Sequence, residues 1–138
     1  MRLFLDANVL FTAAHNPAEQ STALFTLARG GCSELLTSPH AVEEADRNLR
    51  LKHPASVSWF EEMLRHLTIQ PEASRSDVSW AIEQGLPLKD APILAAAAAT
   101  RADLLVTGDR AHFGHLFGQH LRGVEVVPPA DALARVLE

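Results

Sequence analysis

The chain has 138 residues, of which 47% are hydrophobic and 21% charged, and its formal net charge is -5. A chain of that length buries roughly 70% of the surface its unfolded form exposes, so a domain with a full core is expected, and disorder or a fibrous repeat is not. The negative balance argues against a broad basic surface for nucleic acid but leaves room for a local one, and the single cysteine, Cys32, excludes an intrachain disulfide and a cysteine-rich zinc site.

Arg2 to Leu5 reads as a first strand, an apolar run ended by Asp6. The acid inside MRLFLDANVLF sets this stretch apart from a signal peptide. Helices are expected at Asn8 to Ala14 and Ala18 to Arg29, the second stopped by Gly30 and Gly31. Cys32 to Thr37 reads as a second strand, with Cys32 as a small core residue. Ser38 and Pro39 make a sound helix start, a cap followed by a proline in the first turn, for a segment running to about Leu51.

His53 to Leu67 carries another helical stripe, through Val57, Phe60, Met63, Leu64 and Leu67. A brief strand is expected at Thr68 to Pro71 and a helix at Asp77 to Gln84, closed by Gly85. Asp90 opens an alanine-rich helix through ILAAAAAT, better suited to packing than to crossing a bilayer, which needs about 20 apolar residues. LLVT at 104 to 107 and VEVV at 124 to 127 read as the fourth and fifth strands, and Ala130 to Leu137 as a closing helix.

Apolar strands separated by helices mark an α/β fold, here a three-layer α/β/α sandwich around a mostly parallel sheet of about five strands. No internal repeat or linker divides residues 1–138, so one domain is expected. With no membrane span and one cysteine, the chain fits a reducing cytoplasm.

In open parallel sheets ligands bind at the carboxyl ends of the strands. Asp6 follows the first strand and Asp109 the fourth, so if those strands are neighbours both carboxylates project from one edge. Asp90, at a helix N-terminus, can reach the same edge. Carboxylates brought together repel, and one takes up a proton unless a cation compensates. Oxygen donors favour magnesium or manganese, which can polarise a phosphate and activate water for its hydrolysis. Plainer roles exist for two of the three: Asp90 as an ordinary helix cap and Asp109 as a turn residue after Gly108. Asp6 is harder to explain that way, because a charge abutting an apolar strand costs desolvation unless it is paired or solvated.

LFLDANVL, SPHAVEEADRNL and LPLKDAPILAAAAATRADLLVTGDRAHF together resemble the PIN-domain family of metal-dependent ribonucleases, including VapC-type toxins of toxin-antitoxin pairs. The resemblance runs through nearly the whole chain in the expected order. It implies four metal-binding, catalytic acids: Asp6, Glu44, Asp90 and Asp109, supported by Asn8 and Thr107. The family pattern for the second acid falls on Ser38 and Glu44. Periodicity does not choose between Glu43 and Glu44, which are turned about 100° apart and stand almost equally to the stripe of Val42, Ala45 and Leu49. Two positions depart from many relatives: Ala7 stands where they carry Thr or Ser, and His112 where they carry a further acid. Both remove oxygen ligands, which bears on a second metal more than on the first.

The resemblance further implies a magnesium- or manganese-dependent hydrolase acting on single-stranded or structured RNA, leaving a 5′-phosphate and a 3′-hydroxyl, in a homodimer restrained by an antitoxin protein. Phosphates need local cations, for which Lys89, Arg110 and His112 lie near the acids and Arg47 on the Glu44 helix. Trp59 and Trp80 sit in helical patterns that suit a core or an interface anchor better than base stacking. His112 and His115 have a spacing that can share a metal on a helix, but Gly114 interrupts it and no HExxH pattern accompanies it. Alternative readings are a PIN-like interaction module without catalysis and an RNA-processing nuclease that is not a toxin. A haloacid-dehalogenase-type phosphatase has less support, since it wants an Asp where Asn8 stands.

Overall fold

The computed structural model describes residues 1–31 and 33–138, and the expectations for Cys32, as a strand's first residue and as core, lie outside them. β1 (Arg2–Leu5) leads into α1 (Ala7–His15) and α2 (Gln20–Arg29). β2 (Glu34–Thr37) is followed by α3 (Pro39–Lys52), a 3-10 turn at Pro54–Ser56 and α4 (Val57–Leu64). β3 (Thr68–Ile69) precedes α5 (Arg75–Glu83) and α6 (Ala91–Ala99). After β4 (Leu104–Val106) come α7 (Arg110–Phe113), a second 3-10 turn at Gly114–Leu116 and β5 (His120–Leu121). β6 (Val124–Val127) and α8 (Pro129–Leu137) complete the order.

The strands form one sheet in the order β3-β2-β1-β4-β6-β5. Every pairing is parallel except β5 with β6. Helices cover the sheet in a three-layer α/β sandwich. Both faces are therefore dry, and the strands read as unbroken apolar runs: Leu3, Phe4, Leu5, Leu105 and Val106 are wholly buried. α6 is buried nearly all round, with Ala91, Ile93, Leu94, Ala95, Ala96 and Ala97 in the core, because alanine lets helix and sheet approach closely.

The sheet has six strands where about five were expected. The additional strand, β5, joins β6 through Arg122 and Gly123, both at positive φ (51° and 86°), the backbone of a two-residue hairpin turn. Arg-Gly is a weak signal for that turn beside Asn-Gly. Here the guanidinium of Arg122 lies 4.0 Å over the ring of Trp80 and bonds Asp77 at 2.9 Å, contacts that offset the left-handed backbone.

Serine caps set the starts of α3 and α5. Ser38 Oγ accepts from the Ala41 amide at 3.4 Å to open α3 as expected. α5 begins at Arg75 rather than Asp77, because Ser74 Oγ accepts from the Asp77 amide at 3.2 Å. The helix expected from His53 to Leu67 is shorter, since the chain makes a 3-10 turn from Pro54 and α4 ends at Leu64. Trp59, expected in a core or at an interface, is 50% exposed on α4.

The chain runs from β1 outward to β2 and β3, then returns to lay β4 on the opposite side of β1. In open sheets such a reversal is where a crevice forms, here at the carboxyl ends of β1 and β4. Asp6 and Asp109 stand at those two ends.

Candidate metal centre

Asp6 extends β1 by one residue: its amide donates to the Val106 carbonyl at 3.0 Å, in register with β4, before its own carbonyl accepts the first bonds of α1. Its side chain is 3% exposed and well supplied with donors. Oδ1 accepts from the Ala7 amide at 2.7 Å, and Oδ2 accepts from Asn8 Nδ2 at 3.0 Å and from the Thr107 hydroxyl at 2.9 Å. Burial nevertheless pushes the carboxyl up to about 6, the bonds from Thr107 and Ala7 working against it and the negative charges of Glu44 and Asp90 adding to it.

Asn8 and Thr107, expected as supporters, tie the two strand exits together. Asn8 Nδ2 also donates to Thr107 Oγ1 at 3.1 Å, and Asn8 Oδ1 accepts from the Gly108 amide at 2.7 Å. The approach leaves little room at Gly108, where an added Cβ would stand 3.3 Å from Asn8 Oδ1. Thr107 Oγ1 accepts in turn from the Asp109 amide at 3.1 Å. One hydroxyl thus spends its proton on Asp6 and its lone pairs on Asn8 and Asp109.

Asp109 caps α7 rather than simply turning the chain. Oδ1 accepts from the His112 amide at 3.1 Å, and Oδ2 lies 2.7 Å from His112 Nδ1. Partial burial raises this carboxyl, but the His112 ring and amide bonds, with the charges of His112 and Lys89, outweigh that and hold it below the usual carboxylate range.

Asp90 occupies the N-cap position of α6 yet makes no side-chain capping bond, its backbone being already helical at φ -100° and ψ -24°. The ordinary cap role is therefore absent. The carboxyl is buried, Oδ1 lies 3.7 Å from Lys89 Nζ, and Oδ2 has no hydrogen-bond partner among the described residues. An orphaned anionic oxygen in a buried site is costly unless a cation completes it. The donor set around it, carboxylates with one imidazole, is chemically suited to a divalent ion.

Glu44 is half-buried on α3 and its charge bears on Asp6, whereas Glu43 is exposed. Among the described residues the close group of donor atoms is Asp90, Asp109 and His112, which Asp6 and Glu44 do not join. His40, which the sequence did not single out, fixes the approach to Asp90: its Nε2 lies 2.8 Å from the Lys89 carbonyl and its amide donates to Glu72 at 2.9 Å. Lys89 and Arg110 are exposed at the rim, the Arg110 guanidinium 5.6 Å over the Phe117 ring. His112 stands further in than a rim contact, with Nδ1 3.2 Å from Asp90 Oδ2. His115 does not join it, because its Nε2 lies 2.9 Å from the Gln84 carbonyl. Arg47 and Trp59 are exposed on α3 and α4, and Trp80 is half-buried beneath Arg122.

Fold and site together define an α/β domain with an acidic crevice at the carboxyl edge of its sheet. The chain belongs to the PIN domain family, whose model matches residues 2–111. Among solved structures, PAE2754 from Pyrobaculum aerophilum is 19% identical, with a TM-score of 0.70 over 99% of this chain and 98% of that one. A chain of VapBC2 from Rickettsia felis, bound to a DNA fragment from its promoter, is 16% identical with a TM-score of 0.68 over 93% of this chain and 98% of that one. A chain of VapBC-1 from nontypeable Haemophilus influenzae is 14% identical, with a TM-score of 0.59 over 94% and 99% respectively. At these identities the likeness is one of fold. No curated protein matches the chain in sequence. Among the described residues, no helix is long and apolar enough to cross a membrane.

Proposed function

We propose that the chain acts as one PIN domain that hydrolyses RNA phosphodiester bonds with magnesium or manganese, as the toxin of a cytoplasmic toxin-antitoxin pair. The observation that carries this reading is the unpartnered, buried Asp90 Oδ2 beside Asp109 and His112, with Asp6 near enough to feel the charges of Asp90 and Glu44. Lys89 and His112 offset part of this negative charge, and a divalent cation would balance the rest.

Asp6, Glu44, Asp90 and Asp109 would hold the ion, which when bound polarises a phosphate and activates water. Thr107 and Asn8 keep Asp6 and Asp109 in place, and the cap bond to the His112 amide orients Asp109. Lys89 and Arg110 at the rim supply positive charge for the backbone of an RNA strand, local cations on a chain whose net charge is -5. The VapBC complexes among the structural neighbours support an antitoxin as partner. Exposed apolar side chains at Leu51, Trp59 and Leu88 offer surface for that partner or for a second copy.

The test is cleavage of end-labelled single-stranded RNA by the purified protein in magnesium or manganese. Cleavage that stops on chelation and is lost in Asp90→Asn is expected. Intact RNA at millimolar manganese, or undiminished cleavage by Asp90→Asn, contradicts the reading and leaves a PIN-like interaction module in its place.

A further inference from the structure

We propose that His112 supplies a nitrogen ligand to the cation held by Asp90 and Asp109, so that the centre selects manganese over magnesium. This rests on the reading above, that the crevice takes a divalent ion.

The geometry comes first. His112 Nδ1 lies 2.7 Å from Asp109 Oδ2 and 3.2 Å from Asp90 Oδ2, and donor atoms of the three side chains all fall within 4.8 Å of one another. Donor atoms this close together could share one divalent cation. Nδ1 has room for only one proton, and its one hydrogen bond is to Asp109. Asp90 Oδ2 is thus left without a donor although the ring stands beside it. A cation in contact with Nδ1 and both oxygens satisfies all three, with the ring neutral and its proton on Nε2.

The ring is also held in place. Phe113 is wholly buried and anchors α7 to the core, and the His112 amide is bonded to Asp109 Oδ1 at 3.1 Å. Chemistry then sets the preference. Magnesium favours oxygen donors and retains its waters, so an imidazole ligand disfavours it relative to a first-row transition dication such as manganese.

Electron spin echo spectroscopy of manganese bound to the whole protein reads this directly, through coupling of the electron spin to a ligand nitrogen. The wild type is expected to show nitrogen modulation, and protein labelled with ¹⁵N-histidine a correspondingly altered pattern without any substitution. His112→Asp and His112→Gln are expected to lose the modulation while still binding manganese. Calorimetry is expected to show the manganese-to-magnesium affinity ratio falling by roughly tenfold in His112→Asp. Manganese binding and RNA cleavage without nitrogen modulation, or modulation unchanged in both variants, overturns the ligand assignment while leaving the nuclease reading intact. No manganese bound at millimolar concentration overturns both.

Discussion

The hydroxyl of Thr107 donates to Asp6 Oδ2 at 2.9 Å across the boundary between β1 and β4, and the same oxygen accepts from the Asp109 amide at 3.1 Å. A residue with no metal-binding duty in the proposed scheme thus sets the spacing of two that have one. Thr107→Val keeps the shape but leaves the Asp109 amide without its acceptor and removes a donor from Asp6. The expected loss is about 1–3 kcal/mol of folding stability, read by denaturant melts. Without its donor, Asp6 should hold its proton to higher pH, so the rate–pH profile should shift upward as well. A variant with wild-type stability and an unshifted profile would show that the bridge matters little.

Asp6 predicts a particular dependence of stability on pH. Its folded value of about 6 lies above the ordinary 3.8, so the favourable contribution is present below pH 3.8 and is lost as pH rises through 6. Most of that loss, roughly 2 kcal/mol, falls between pH 4 and pH 7 in the metal-free protein. Asp6→Asn has no such carboxyl, so relative to the wild type it should gain stability over that interval while losing cleavage. Millimolar manganese should return the wild type's stability at pH 7 and do much less for the variant. Parallel stability curves for the two proteins from pH 4 to 7 would contradict this picture.

Glu43 and Glu44 separate sharply. Glu44→Gln should weaken manganese binding by at least the roughly 10- to 100-fold seen when a supporting group of a metal site is removed. Glu43→Gln, on the exposed face of α3, should leave binding and melting temperature unchanged. Calorimetric titration of both variants checks this, and equal losses would mean that the orientation of α3 is not what selects the acid.

The positions of the strand-exit acids were legible because position along an apolar run is a local property: Asp6 follows β1 directly and Asp109 stands three residues past β4, and parallel pairing of the two strands puts their exits side by side, bridged by Thr107. The choice between Glu43 and Glu44 was not, since Val42, Ala45 and Leu49 place both at similar angles, whereas in the folded chain Glu44 is half-buried with its charge bearing on Asp6 and Glu43 is exposed. α7 spans four residues, too few to show a helical period, so periodicity did not show the reach of His112 toward Asp90, although the resemblance set it where many relatives carry a further acid. The missing cap bond of Asp90 depends on its backbone being already helical, which residue identity does not reveal. β5 escaped notice because its turn is built on Arg122-Gly123 and stabilised by Trp80 and Asp77, some forty residues away in the chain.

Diffraction from crystals soaked in manganese, recorded at the manganese absorption edge, tests the metal centre most directly. The account predicts an anomalous peak in the crevice, about 2.1–2.6 Å from carboxylate oxygens of Asp90 and Asp109. A crevice without a peak in crystals bathed in millimolar manganese would contradict it.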